Sequence, residues 1–89
     1  MELDPKILAA LHERLPGWVR GVESRESLDA NGDSVIVVFL LVKPDAKIFE
    51  DQNQLAKARD TVARVFDEHG LGWWPYVRFV NEAEWRASA

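Results

Sequence analysis

The sequence predicts a single α+β domain spanning residues 1–89, with elements in the order helix, strand, strand, helix, strand. Three observations carry that expectation. The run Ser34 to Val42, SVIVVFLLV, is apolar on both faces of a would-be strand, and its β-branched residues and Phe39 favour strand over helix. Two other stretches repeat apolar residues at helical spacing. An Asn31-Gly32 turn stands immediately before the apolar run, which marks a hairpin.

Taken in order, Asp4 and Pro5 open the first helix: the Asp side chain accepts from orphan amides, and Pro at the first helical position has no amide to leave unpaired. Ile7, Leu8, Leu11 and Leu15 then share a stripe until Pro16-Gly17 ends the run. From Trp18 to Leu28 the pattern shifts to period two and predicts a polar strand, with Trp18, Arg20, Val22 and Ser24 on one side and Val19, Gly21, Glu23 and Arg25 on the other. The turn Asp29 to Asp33 leads into the central strand 34–42, which Lys43-Pro44 terminates.

After a connection containing Ile48 and Phe49, Asp51 and Gln54 have capping-box form, and Leu55, Ala58, Val62, Val65 and Phe66 predict a helix from about Gln52 to His69. Its exposed side carries Asp60, Arg64 and Glu68 at spacings of four, while His69, Gly70 and Leu71 supply a C-terminal cap. Gly72-Trp73-Trp74-Pro75 precedes a last strand, Tyr76 to Val80. Asn81 and Glu84 again have capping-box form, so residues 82–86 are expected to make a final helical turn that folds Trp85 onto the body.

The hairpin makes the first two strands antiparallel, and a helical crossover makes the last strand parallel to the central one. A three-stranded mixed sheet in order 1-2-3, with two helices on one face, follows. That architecture leaves the second apolar face of the central strand without cover, on a domain too small to tolerate it easily. A protein partner, either a second copy of the chain or a different protein, is the expectation. The alternative is cover from within, by the turn carrying Trp85 or by the Lys43 to Glu50 connection with Ile48 and Phe49. Trp73, Trp74, Tyr76 and Arg78 are the candidate contact residues, because interfaces favour Trp, Tyr and Arg anchors.

Composition narrows the function classes. The chain has no cysteine, which excludes disulfides, thiolate metal sites and cysteine nucleophiles. A net charge of −4 disfavours a nucleic-acid partner, which would need Arg20, Arg25, Arg78 and Arg86 to cluster against it. Glu2 and Asp4 stand where a leader would be basic, and no apolar run approaches the roughly 20 residues that span a bilayer, so a cytoplasmic protein with no membrane association is expected. No phosphate loop, dinucleotide fingerprint, zinc-protease motif or nucleophile elbow is present. His12 and His69 read as a helix-surface residue and a cap, and Asp29 and Asp33 read as turn formers without the calcium-loop spacing. No cofactor, metal site or catalytic residue is assigned. Glu23, Glu26, Asp29 and Asp33 are the acids to inspect for acid/base or metal chemistry.

With Glu23-Ser24-Arg25 after the first strand and Gly32-Asp33-Ser34 leading into the second, the chain resembles the minimal nucleotidyltransferase domains of bacterial toxin–antitoxin pairs. Those domains use Gly-Ser at the first place and an Asp-x-Asp pair at the second to hold magnesium. Here Glu23 stands for the Gly, and Ser34, Val35 and Ile36 follow Asp33. The resemblance therefore implies a non-catalytic relative, the small subunit or antitoxin-like partner of a two-protein system; a degenerate nucleotide-binding enzyme using the hairpin acids is its alternative. The element order and the ending Glu82 to Trp85 are also similar to BolA-like and KH-type domains. The BolA-type histidine and the Gly-x-x-Gly loop are absent, so their functional residues do not carry over.

Overall fold

The computed structural model describes residues 3–44, 47–71 and 75–88. Helix α1 (Pro5–Arg14) starts where Asp4 Oδ1 accepts from the Lys6 amide at 2.7 Å, with Pro5 in the first turn. Strand β1 (Val19–Leu28) turns through Ala30-Asn31-Gly32 into β2 (Ser34–Val42). A short 3-10 turn, Ile48–Glu50, leads to α2 (Gln52–Glu68), then β3 (Tyr76–Asn81) and a short α3 (Glu82–Ala87). The sheet has order β1-β2-β3, with β1 antiparallel and β3 parallel to β2, as the element order predicts.

Local chemistry accounts for each boundary. At the hairpin, Asp29 Oδ1 accepts from the amides of Asn31 (2.8 Å) and Asp33 (3.0 Å), and the Gly32 amide closes on the Asp29 carbonyl at 3.0 Å. Gly32 alone in the turn takes positive φ, at 84°, so the loop is a three-residue turn closed by a left-handed glycine and not the two-residue form that Asn-Gly most often makes. Asp51 Oδ1 accepts from the Gln54 amide at 3.2 Å and caps α2. At the other end Gly70 sits at φ 73°, with the Leu71 amide on the Phe66 carbonyl (3.1 Å) and the Gly70 amide on the Asp67 carbonyl (3.0 Å), a Schellman closure. The ring of His69 reinforces it, its Nδ1 lying 2.9 Å from the Val65 carbonyl oxygen.

One face of the sheet carries the core. Ile36, Val38 and Leu40 of β2 are buried with Leu3 just ahead of α1, Ile7 and Leu11 of α1, and Ala58, Val62, Val65 and Phe66 of α2. A satellite cluster of Val42, Ile48 and Leu55 continues it under the 3-10 turn. The connection containing Ile48 thus closes the end of the helix-side core, because Val42 and Leu55 offer Ile48 an apolar seat there. Among its described residues it does not contribute the cover of the other face that was one alternative, and Phe49 remains 45% exposed.

Period two does not hold along the whole of β1. Val19 stands opposite Val42 and Gly21 opposite Leu41, so Arg20 is an extra residue in a bulge. The bulge returns Val19 to the helix side, where it packs with Trp18 and Val22 against the core. The helix pair is tied on its outer surface by Arg14, whose guanidinium donates to both carboxylate oxygens of Glu68 at 2.6 and 3.1 Å. Glu68 therefore leaves the surface charge row expected on α2, of which the Arg64–Asp60 pair at 2.8 Å remains. The hydrogen bond from Arg14 holds the Glu68 carboxyl below its ordinary pKa. No helix is long and apolar enough to cross a membrane among the described residues.

Candidate interaction surface

The second face of the sheet is built by alternation. Residues paired across strands share a face, so Gly21, Glu23, Arg25 and Ser27 of β1, Val35, Val37, Phe39 and Leu41 of β2, and Tyr76, Arg78 and Val80 of β3 look away from α1 and α2. The expectation that this face lies uncovered is half corrected. Helix α3 folds back from the end of β3, capped by Asn81, whose Oδ1 accepts from the amides of Ala83 (2.9 Å) and Glu84 (3.3 Å). Trp85 then reaches Phe39, with ring centroids 4.9 Å apart and planes tilted by 41°. Cover from within thus exists, through Trp85, but it is narrow: α3 is six residues long and buries none of them fully.

Arg25 locks this arrangement. Its guanidinium lies 4.6 Å from the Trp85 ring centroid and 5.6 Å from that of Phe39, so one cation serves two π-faces. The result divides the face in two. Toward α3, Arg25, Val80, Glu84, Trp85 and Ser88 surround one depression. Toward the hairpin, Arg25, Glu26, Ser27, Val37, Phe39 and Arg78 line a second, of about 320 Å³. Its floor is the half-buried apolar pair Val37 and Phe39, with a guanidinium on each side.

Of the four contact residues the sequence nominates, Tyr76 and Arg78 stand on this face, opposite Val37 and Phe39 respectively, and both are exposed. Trp73 and Trp74 lie outside the described residues. Arg25 and Phe39 stand on the same face, although composition-based reasoning did not nominate them. Their signal was the hairpin register: counting back from the Asp29 turn sets Arg25 across from Val37. Of the four arginines that nucleic-acid binding would require, Arg25 and Arg78 come together, whereas Arg86 pairs with Glu82 at 3.3 Å and Arg20 sits in the bulge.

Two of the four hairpin acids are engaged locally. Asp29 is committed to its turn, and Glu26 Oε1 accepts from the Ser34 hydroxyl at 3.2 Å. Among the described residues, no three His, Asp or Glu side chains come together in a way that would hold a metal ion. Compared with family models, with curated proteins and with solved structures, the chain matches none.

Proposed function

We propose that this domain is a non-enzymatic protein-interaction module that binds its partner on the open face of the sheet. The partner is a second copy of the chain or the companion in a two-protein system of the toxin–antitoxin kind. One observation carries the reading: the hairpin half of the face exposes an aromatic ring, Tyr76 at 52%, and two arginines, Arg25 and Arg78, around the apolar floor of Val37 and Phe39. Aromatic and arginine anchors around an apolar centre are what interface hot spots are made of. Arg78 forms no ion pair among the described residues, so its charge is free for a carboxylate on a partner.

The test is association of the intact chain. Wild-type protein should self-associate in light scattering over a concentration series, or retain one stoichiometric protein when purified from its native host. Tyr76→Glu and Arg78→Glu should each abolish whatever association is made through this face while leaving the circular dichroism unchanged. A wild type that stays monomeric, retains nothing and binds no hydrophobic dye refutes the reading. Calorimetry with magnesium and nucleoside triphosphates addresses the nucleotide-binding alternative, which a saturable heat would favour.

A further inference from the structure

The edge of the sheet carries a second kind of information, separate from its open face. β1 is an outer strand of ten residues, so one side of its backbone has no partner in the sheet. The Asp29 amide points inward, donating to the Asp33 carbonyl at 3.0 Å. Antiparallel ladders alternate, so Leu28, Glu26, Ser24 and Val22 direct their amides and carbonyls outward. An exposed edge of this length invites another strand, and proteins commonly blunt such edges with charge.

The charges on this edge are arranged to admit one strand in particular. Glu23 and Arg25 flank Ser24 and lie together on the open face. We propose that two copies of the chain pair through β1, antiparallel and centred on Ser24. In that register each Glu23 lies directly opposite Arg25 of the partner subunit, twice by symmetry, at a non-hydrogen-bonded pair where side chains approach most closely. The neighbouring symmetric registers are excluded by the same charges: centring on Glu23 sets two carboxylates face to face, and centring on Arg25 sets two guanidiniums face to face. Glu23 is exposed and makes no ion pair among the described residues, whereas Arg25 is held in place by Trp85 and Phe39. The acceptor is free, and the donor is anchored on the same face two residues away. Leu28, the most exposed large apolar residue among the described residues at 68%, comes diagonal to Val22 of the partner subunit.

The product is a continuous six-stranded sheet whose two-fold axis is perpendicular to it, with both helix layers on one side and both open faces on the other. The pairing uses the edge and leaves Tyr76 and Arg78 free, so it stands independently of the open-face reading and would make that surface bivalent.

Sedimentation of the full chain from about 10 μM to about 1 mM, a range suited to a small interface, tests it. Wild type should dimerise. Glu23→Arg, which leaves the Arg25 stack untouched, should weaken the dimer by roughly tenfold or more, since it opposes like charges twice. An equimolar mixture of Glu23→Arg and Arg25→Glu chains should form mixed dimers, and the double swap in one chain should restore the homodimer. Should Arg25→Glu fail to fold, hydrogen exchange decides: the amides of Val22, Ser24 and Glu26 should be protected only at dimer-forming concentration. A monomeric wild type, a Glu23→Arg chain that dimerises normally, or a dimer that leaves those amides unprotected overturns the proposal. A dimer broken by Tyr76→Glu but indifferent to Glu23→Arg would assign self-association to the open face instead.

Discussion

The two faces of β2 start from the same chemistry and end in different states. Ile36, Val38, Leu40 and Val42 are all buried beneath helices and the 3-10 turn, while on the other side Val35, Val37 and Phe39 stay partly exposed and Leu41 alone is buried. Nothing in the strand itself distinguishes the two sets, which alternate along one apolar run. The difference lies in what the rest of the chain supplies: a seventeen-residue helix with six buried side chains on one side, and a six-residue helix with none on the other. A strand's pattern thus states that both faces need cover, and the helices supplied to each side decide which one, among the described residues, is left to a single tryptophan.

Adjacent substitutions on β2 measure that contrast most directly. Leu40→Ala removes a fully buried side chain from the main cluster and should cost about 2–5 kcal/mol in urea denaturation. Phe39→Ala, one residue away on the partly open face, should cost about 1–2 kcal/mol despite the larger group, because its atoms are only half withdrawn from water. Equal losses would mean that Trp85 seals its side as tightly as two helices seal theirs, and the contrast would disappear.

The architecture was legible because its signals are local and redundant. The Asp4, Asp51 and Asn81 caps, the Gly32 and Gly70 turns and the apolar period of α2 each specify a boundary from a few residues. What escaped were features that depend on register. The bulge at Arg20 has no composition signature; it becomes apparent only when Val19 must meet Val42 and Gly21 must meet Leu41, where a side chain at Gly21 would come within 3.2 Å of Leu41 Cδ1. The Arg25 stack needed both the hairpin register and the return of α3, two long-range facts, before its partners Phe39 and Trp85 could be named. Tyr76 and Arg78 were nominated from residue type and strand position alone, and the parallel register sets both on the open face.

Removing the narrow cover should sharpen the contrast further. Trp85→Ala deletes the Phe39 ring contact and the Arg25 cation–π contact together and should cost about 1–2 kcal/mol. Hydrophobic-dye fluorescence should rise at the same time, since the α3 half of the face would then resemble the hairpin half. Asn81→Ala acts one step further back, on the cap that starts α3, and should cost about 1 kcal/mol. Its diagnostic is local: backbone amides of Arg86 and Ala87 should lose protection from hydrogen exchange while those of β2 keep theirs. Global loss of protection would show that α3 is integral to the core and not an appended cover.

The smallest effect concerns charge on the helix layer. Arg14 holds the Glu68 carboxyl below its ordinary pKa chiefly through the hydrogen bonds they share. A carboxylate whose pKa is lower folded than unfolded adds stability above the unfolded value, and that contribution disappears as pH falls through the folded one. Carboxyl-detected NMR should therefore place the Glu68 midpoint below that of an ordinary glutamate, and Arg14→Ala should return it. Glu68→Gln should slightly flatten the acid limb of the stability curve, and high salt should erase the difference, because the side chains are 45% and 52% exposed and an ion pair so placed is strongly screened. If Arg14→Ala instead destabilised the protein as much as Leu40→Ala, the helices would be held to the sheet by their outer charges. Burial in the cluster containing Leu11, Leu40 and Phe66 would then no longer explain why one face of β2 is closed and the other open.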